Sequence, residues 1–150
     1  MITFVVERRV SSPPKFLIDQ IWSGAEWRAS RSGIKGLAIE YDDGHHQSMQ
    51  VCIDWKPRDL ALSIMRFRDS ALRISFFYSR LPHGIVKQAG IWEAYSVNKG
   101  CHLKLTRSLE MRRGKAEDTA SFHAREGAYS TLLQEYQGLM LDAVATHLGL

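Results

Sequence analysis

The chain has 150 residues, 20 Lys and Arg against 16 Asp and Glu, and 45% hydrophobic residues, which excludes disordered and fibrous classes and suits one globular domain over 1–150. No apolar run reaches the roughly 18 residues of a membrane-spanning helix, and Met1–Val6 meets Glu7 too soon for a secretory segment, so a cytoplasmic location is expected. The net charge of +4 selects no partner by itself, because Lys and Arg are spread along the chain.

Residues 2–10 alternate, with Ile2, Phe4, Val6 and Val10 on one parity, and predict a half-buried strand that Ser11-Ser12-Pro13-Pro14 ends. The prolines supply a helix start, and a helix carrying Phe16, Leu17, Ile21 and Trp22 should follow. After Trp27 and the Gly33/Gly36 punctuation come strand-like segments at 37–42, 47–55, 60–68, 72–80, 85–97 and 101–111. Turn signals separate them, among them Asp42-Asp43-Gly44, Lys56-Pro57-Arg58-Asp59 and Asn98-Lys99-Gly100, so the segments read as an antiparallel meander. The period then changes: Tyr129, Leu132, Leu133, Tyr136, Met140, Ala143, Val144 and His147 fall at 3-and-4 spacing, the stripe of a helix of about 25 residues. Within it Gly127 and Gly138 each cost about 1 kcal/mol relative to Ala, and mark a bend or a close approach to sheet or ligand. The order predicts an α+β protein: a curved antiparallel sheet of about seven strands wrapped around a long C-terminal helix, with short helices after the first strand. Such a sheet leaves a cavity under the helix wherever inward side chains do not fill the space.

Cys52 and Cys101 fit neither C-x-x-C nor zinc spacing and are expected as reduced thiols. The six histidines carry no metal motif, His45 and His46 falling in a hairpin turn, so no metal site is expected.

The more apolar parity of each strand gives the inner face: Ile2, Phe4, Val6, Arg8, Val10; Met49, Val51, Ile53, Trp55; Leu60, Leu62, Ile64, Arg66; Leu72, Ile74, Phe76, Tyr78, Arg80; and Leu103, Leu105, Arg107, Leu109, Met111. Four arginines interrupt these faces. An inward guanidinium needs a carboxylate, water or an anionic ligand unless it snorkels from a strand end or is turned outward by a bulge. Arg66 stands out, following Leu60, Leu62 and Ile64, with Tyr78 and Arg80 on the inner parity of the next strand. Trp22, Trp27, Trp55 and Trp92 supply aromatic walls, and Tyr129 and Tyr136 lie seven apart on the helix stripe with phenols that want partners if buried.

The opening strand with Ser11–Pro14 and Phe16–Trp22, the Glu26-Trp27 step, and the stretch from Gly90-Ile91-Trp92-Glu93-Ala94-Tyr95 through Gly100-Cys101-His102-Leu103 resemble the Bet v 1-like, START-related superfamily (SRPBCC), and within it the polyketide cyclase/aromatase and dehydrase branch. The resemblance covers nearly the whole chain in element order. It implies a helix-grip fold, an internal cavity for a hydrophobic molecule and no cofactor. In aromatase/cyclase relatives a cavity arginine on a middle strand anchors the carbonyl or enolate oxygens of a poly-β-ketone, and tryptophans hold the chain bent. Arg66 matches that arginine by position, and Trp27 and Trp92 match the tryptophans. Where the cyclases carry Trp and Ser before the arginine, this chain has Leu60, Leu62 and Ile64, which removes polar groups but keeps an apolar cavity with a cationic anchor.

The resulting expectation is a polyketide cyclase/aromatase-like protein that binds an aromatic or polyketide-type molecule and promotes aldol cyclisation or dehydration. Arg66 would supply the charge and Tyr78 or Tyr136 a proton donor or acceptor, with Arg66 and Tyr78 as the catalytic pair. The expected ligand-binding residues are Trp27, Met49, Ile53, Trp55, Ile64, Phe76, Arg80, Trp92, Arg107, Tyr129, Leu133, Tyr136 and Met140. The alternative is a non-catalytic carrier of a lipid, quinone or natural product, and a third reading, resting on Arg112, Arg113 and Lys115, is an interaction module for a chaperone or ribosome. An acyl carrier protein, acidic where this chain is basic, is the expected protein partner, and the chain would act as a monomer or homodimer. Nucleic acid is not expected, because the aromatics follow sheet and helix periods rather than a basic run.

Overall fold

The structure, a computed structural model, describes residues 1–29, 34–55 and 57–148, apart from the side chains of Trp55 and Leu148. Its elements run β1 (Ile2–Val10), α1 (Pro14–Trp22), α2 (Ala25–Ala29), β2 (Ile34–Asp42), β3 (His46–Trp55), β4 (Arg58–Ser70), β5 (Arg73–Arg80), β6 (Ile85–Val97), β7 (Gly100–Met111) and α3 (Thr119–Leu148). The seven strands form one antiparallel sheet in the order β1-β7-β6-β5-β4-β3-β2, the expected meander closed at one edge by β1 against β7.

Local chemistry sets the boundaries. Pro13 and Pro14 open α1, where a missing N–H costs nothing, and Leu17, Ile18, Ile21 and Trp22 form the buried stripe while Phe16 lies on the exposed side. Asp43 accepts hydrogen bonds from the His45 and His46 backbone N–H groups and ties the β2–β3 turn. At the β6–β7 turn Gly100 has φ +131°, and a Cβ there would lie 2.3 Å from the Val10 carbonyl oxygen, so only glycine fits. Helix α3 has 30 residues and begins ahead of its apolar stripe. Asp118 caps it by accepting from the Ser121 N–H at 2.7 Å, which lets polar first turns join the helix.

The inner parity inferred from alternation is the buried one in β1, β3, β4, β5 and β7, with Phe4, Val6, Met49, Val51, Leu62, Ile64, Ile74, Leu103 and Leu105 in one core. Helix α3 meets that core through Met140, Leu141 and Val144 and packs on β1 and α2. Here Gly138 is the close approach that its glycine signalled: the Arg8 guanidinium lies 3.1 Å from where a Cβ would be, and Arg8 Nε donates to Asp142 at 2.6 Å. Gly127 faces open space and marks no such approach, while Leu132 and His147 of the predicted stripe are exposed. The C-terminal half of α3 is therefore fastened to the sheet. In its N-terminal half Tyr129 and Leu133, and at its middle Tyr136, are only partly buried.

Cys52 and Cys101 are free thiols, and burial pushes the Cys101 thiol above its ordinary value. No helix among the described residues is long and apolar enough to cross a membrane.

Candidate ligand-binding site

Two buried arginines share one row of the sheet. The register aligns Arg66 of β4 with Phe76 of β5, Phe76 with Gly90 of β6, and Gly90 with Arg107 of β7. Their surroundings differ completely.

Arg66 is 2% exposed and its donors are committed to protein. Nε donates to Gln47 Oε1 at 2.7 Å, Nη1 to Glu26 Oε1 at 2.6 Å, and Nη2 to the carbonyls of Ile21 and Trp22, each at 2.7 Å. Those carbonyls end α1 and have no partner within the helix, so a cation from the sheet closes it and complements its negative end. Gln47, opposite Arg66 on β3, adds a 2.7 Å bond from Nε2 to Trp22 O. Glu26, 1% exposed, is held by the same guanidinium, yet burial outweighs that charge and pushes its carboxyl above the ordinary range. Its second oxygen, Oε2, has no protein partner among the described residues. These bonds make Arg66 a clamp between β3, β4, Glu26 and the end of α1.

Arg107 is 3% exposed and carries no ion pair among the described residues, the buried Glu26 and Glu126 being directed to Arg66 and His123. Its Nη2 donates to Gln88 Oε1, its Cζ lies 5.5 Å from the Phe76 ring centroid and 5.2 Å from that of Tyr78, and its Nε has no hydrogen-bond partner among the described residues. Gly90 makes this stacking feasible. A Cβ there would come within 2.5 Å of Phe76 Cζ and 2.6 Å of the Thr106 carbonyl oxygen, so the missing side chain is what lets Phe76 lie across β6 toward Arg107.

Beneath the N-terminal half of α3 is a cavity of about 750 Å³ with walls from Trp27, Ile53, Leu60, Leu62, Ile85, Met111, Tyr129, Leu133 and Tyr136. Tyr78, Gln88, Arg107 and Gln137 put polar atoms into it, and exposed His83, Arg125 and Leu132 mark the rim. A smaller void of about 20 Å³ lies next to it, sharing Trp27, Tyr78, Arg107 and Gln137 and adding Glu26, Arg66, Phe76, Trp92 and Met140. Burial pushes the Tyr78 and Tyr129 phenols above their ordinary value, so both stay protonated near neutral pH and act as donors. The Tyr136 hydroxyl is buried without a protein partner among the described residues. Among the described residues no cluster of His, Cys, Asp and Glu has the makings of a metal site.

No protein-family model matches the sequence, and no curated protein matches it. Solved structures do. The di-domain ARO/CYC StfQ from the steffimycin biosynthetic pathway superposes with a TM-score of 0.80 at 12% identity, over 97% of this chain and 50% of that one. The Zhui aromatase/cyclase from Streptomyces sp. R1128 gives 0.68 at 14% identity over 95% and 94% of the two chains, and Ara h 8.0201 gives 0.70 at 13% over 97% and 96%. The chain has the helix-grip, Bet v 1-like fold of these structures.

Within this helix-grip framework the expected site residues separate into groups. Trp27, Ile53, Tyr78, Arg107, Tyr129, Leu133 and Tyr136 line the cavity, while Ile64, Arg66, Phe76, Trp92 and Met140 line the small void and not the cavity. Met49 is sealed in the core, and the Trp55 side chain lies outside the described residues. Arg80 is a correction: it pairs with Ser63, whereas Tyr78 pairs with Ile64, and this one-residue bulge turns Arg80 to the outer, exposed face. Arg8 takes the strand-end alternative, its side chain 38% exposed beside Asp142. The reading missed Glu26, Gln88 and Gln137, all buried at the inner end. Signals existed for two of them, since Gln88 shares the parity of Trp92 and Gln137 falls midway between Leu133 and Met140 on the helix stripe.

Proposed function

We propose that this helix-grip protein binds an aromatic or polyketide-type hydrophobic molecule under α3 and promotes its aldol cyclisation or dehydration. The cavity of about 750 Å³ carries the reading, being apolar along its walls, polar at its inner end and of the size that encloses one drug-sized molecule. That StfQ and Zhui are aromatase/cyclases supports the polyketide class. Ring closure requires a polarised carbonyl, a stabilised enolate and a group that exchanges a proton. Protonated Tyr78, with Tyr136, would polarise the carbonyl, and Arg107 would stabilise negative charge. Glu26 Oε2, buried in the void beside Arg107 with its carboxyl pushed up, would exchange the proton. Arg66 acts in this scheme as a positioning residue that holds Glu26.

Delivery by an acidic acyl carrier protein fits the exposed Arg112, Arg113 and Lys115 between β7 and α3, because the Arg112 carbonyl accepts from Arg125 at the cavity rim. A second reading, storage or transport without chemistry, is favoured by Ile53, Leu60 and Leu62, which give the β3–β4 wall no hydroxyl. The test is native mass spectrometry of protein from its own host, extraction of whatever co-purifies, and incubation with a linear poly-β-ketone. Cyclised product that Glu26→Gln lowers by about 100-fold or more supports catalysis. A co-purifying hydrophobic molecule returned unchanged supports the carrier, and an empty protein inert to ketides overturns both.

A further inference from the structure

We infer that the ligand is a hydrophobic monoanion, an apolar body bearing one anionic oxygen group that pairs with Arg107. This rests on the cavity being a ligand site and specifies what enters it. A guanidinium has five N–H donors and cannot shed its proton, so burial without a counter-charge is costly. Arg107 is in that position: it is 3% exposed, no carboxylate among the described residues pairs with it, its Nη2 donates to the neutral Gln88, and its Nε has no hydrogen-bond partner among the described residues. The charged side chains around the inner end are Glu26, Arg66 and Arg107, a net single positive charge once Glu26 is assigned to Arg66. Phe76 and Tyr78 lie against Arg107, their ring centroids 5.5 and 5.2 Å from its Cζ and 6.2 Å from each other, so neither supplies a counter-charge and Nε is left for an anion. The apolar walls set the rest of the ligand, and an anion arriving through them completes the missing pair.

Two dyes that share one ring system separate this inference from the cavity reading: 1-anilinonaphthalene-8-sulfonate, an anion, and neutral N-phenyl-1-naphthylamine, titrated by fluorescence into wild type, Arg107→Gln and Gln88→Glu. Gln88→Glu installs an internal anion on Arg107 and serves should Arg107→Gln fail to fold. The inference predicts that either variant weakens the anionic dye by about tenfold or more while changing the neutral dye by less than about threefold. Because the pair is buried, the preference should persist at high salt. Both dyes bound with an unchanged ratio in the variants would overturn the inference and leave the cavity reading standing. Neither dye bound would overturn both.

Discussion

Replacing Arg66 by Met keeps the length of the side chain and removes all four of its hydrogen bonds. The Glu26 carboxylate, 1% exposed, would lose its cation, while the Ile21 carbonyl keeps the Gly24 N–H and Trp22 O keeps Gln47. Removing one member of a buried ion pair costs about 3–5 kcal/mol, a large share of the about 5–15 kcal/mol that holds a domain together. For a chain of this size that is a fall in Tm of roughly 6–20 °C. Urea and thermal unfolding followed by tryptophan fluorescence would read it, with Trp22 as a reporter 5.6 Å from the Arg66 guanidinium carbon. In Glu26→Gln/Arg66→Met the buried charge is gone, so the double variant should recover at least about 1 kcal/mol relative to the sum of the single losses. Neutral-dye affinity of folded Arg66→Met should stay near wild type, since Arg66 lines the small void and not the cavity. An Arg66→Met protein within about 1 kcal/mol of wild type, or one that is stable but cannot bind the dye, would refute the assignment of Arg66 as a clamp.

The companion arginine should behave oppositely: Arg107→Met relieves a buried charge and loses one hydrogen bond, so unfolding free energy should rise by about 1–2 kcal/mol, and a fall of that size in urea titrations would contradict the unpaired state. Gly90→Val places a side chain where Phe76 and the Thr106 carbonyl sit, and overpacking should cost about 1–3 kcal/mol or more by thermal denaturation. Glu117 accepts from Arg125 at 2.9 Å and is held down to about 2, so its stabilisation is present above pH 4.5 and lost as the pH falls toward 2. Glu117→Gln should therefore flatten the acid limb of the stability curve, less so in high salt because the pair is exposed. Glu26 has the opposite sign: its raised value gives stability present below 4.5 and lost as pH rises through the folded value, a slope that Glu26→Gln should remove.

Strand order and inner faces were legible because each depends on a local period, which Phe4/Val6, Met49/Val51/Ile53 and Leu103/Leu105 state unmistakably. Strand β6 was harder, its inward row Gln88, Gly90, Trp92, Ala94 mixing a polar group, no side chain, the largest side chain and a small one. Arg80 was misplaced because a bulge shifts register without a residue that announces it. The role of Arg66 could not be read locally, since its partners stand between 19 and 45 positions away and two are backbone carbonyls. On α3 the polar Glu126, Ser130 and Gln137 face inward among apolar neighbours, which blurs the stripe where the cavity needs hydrogen-bonding groups.

The central claim is that the space under the N-terminal half of α3 is a ligand site rather than a packing defect. A crystal structure grown with N-phenyl-1-naphthylamine tests it most directly. The account predicts ring density between Tyr78, Tyr129, Leu133 and Tyr136, with α3 in place over the sheet. Helix α3 collapsed onto Leu60 and Leu62, or the dye bound only on the outer surface, would contradict it.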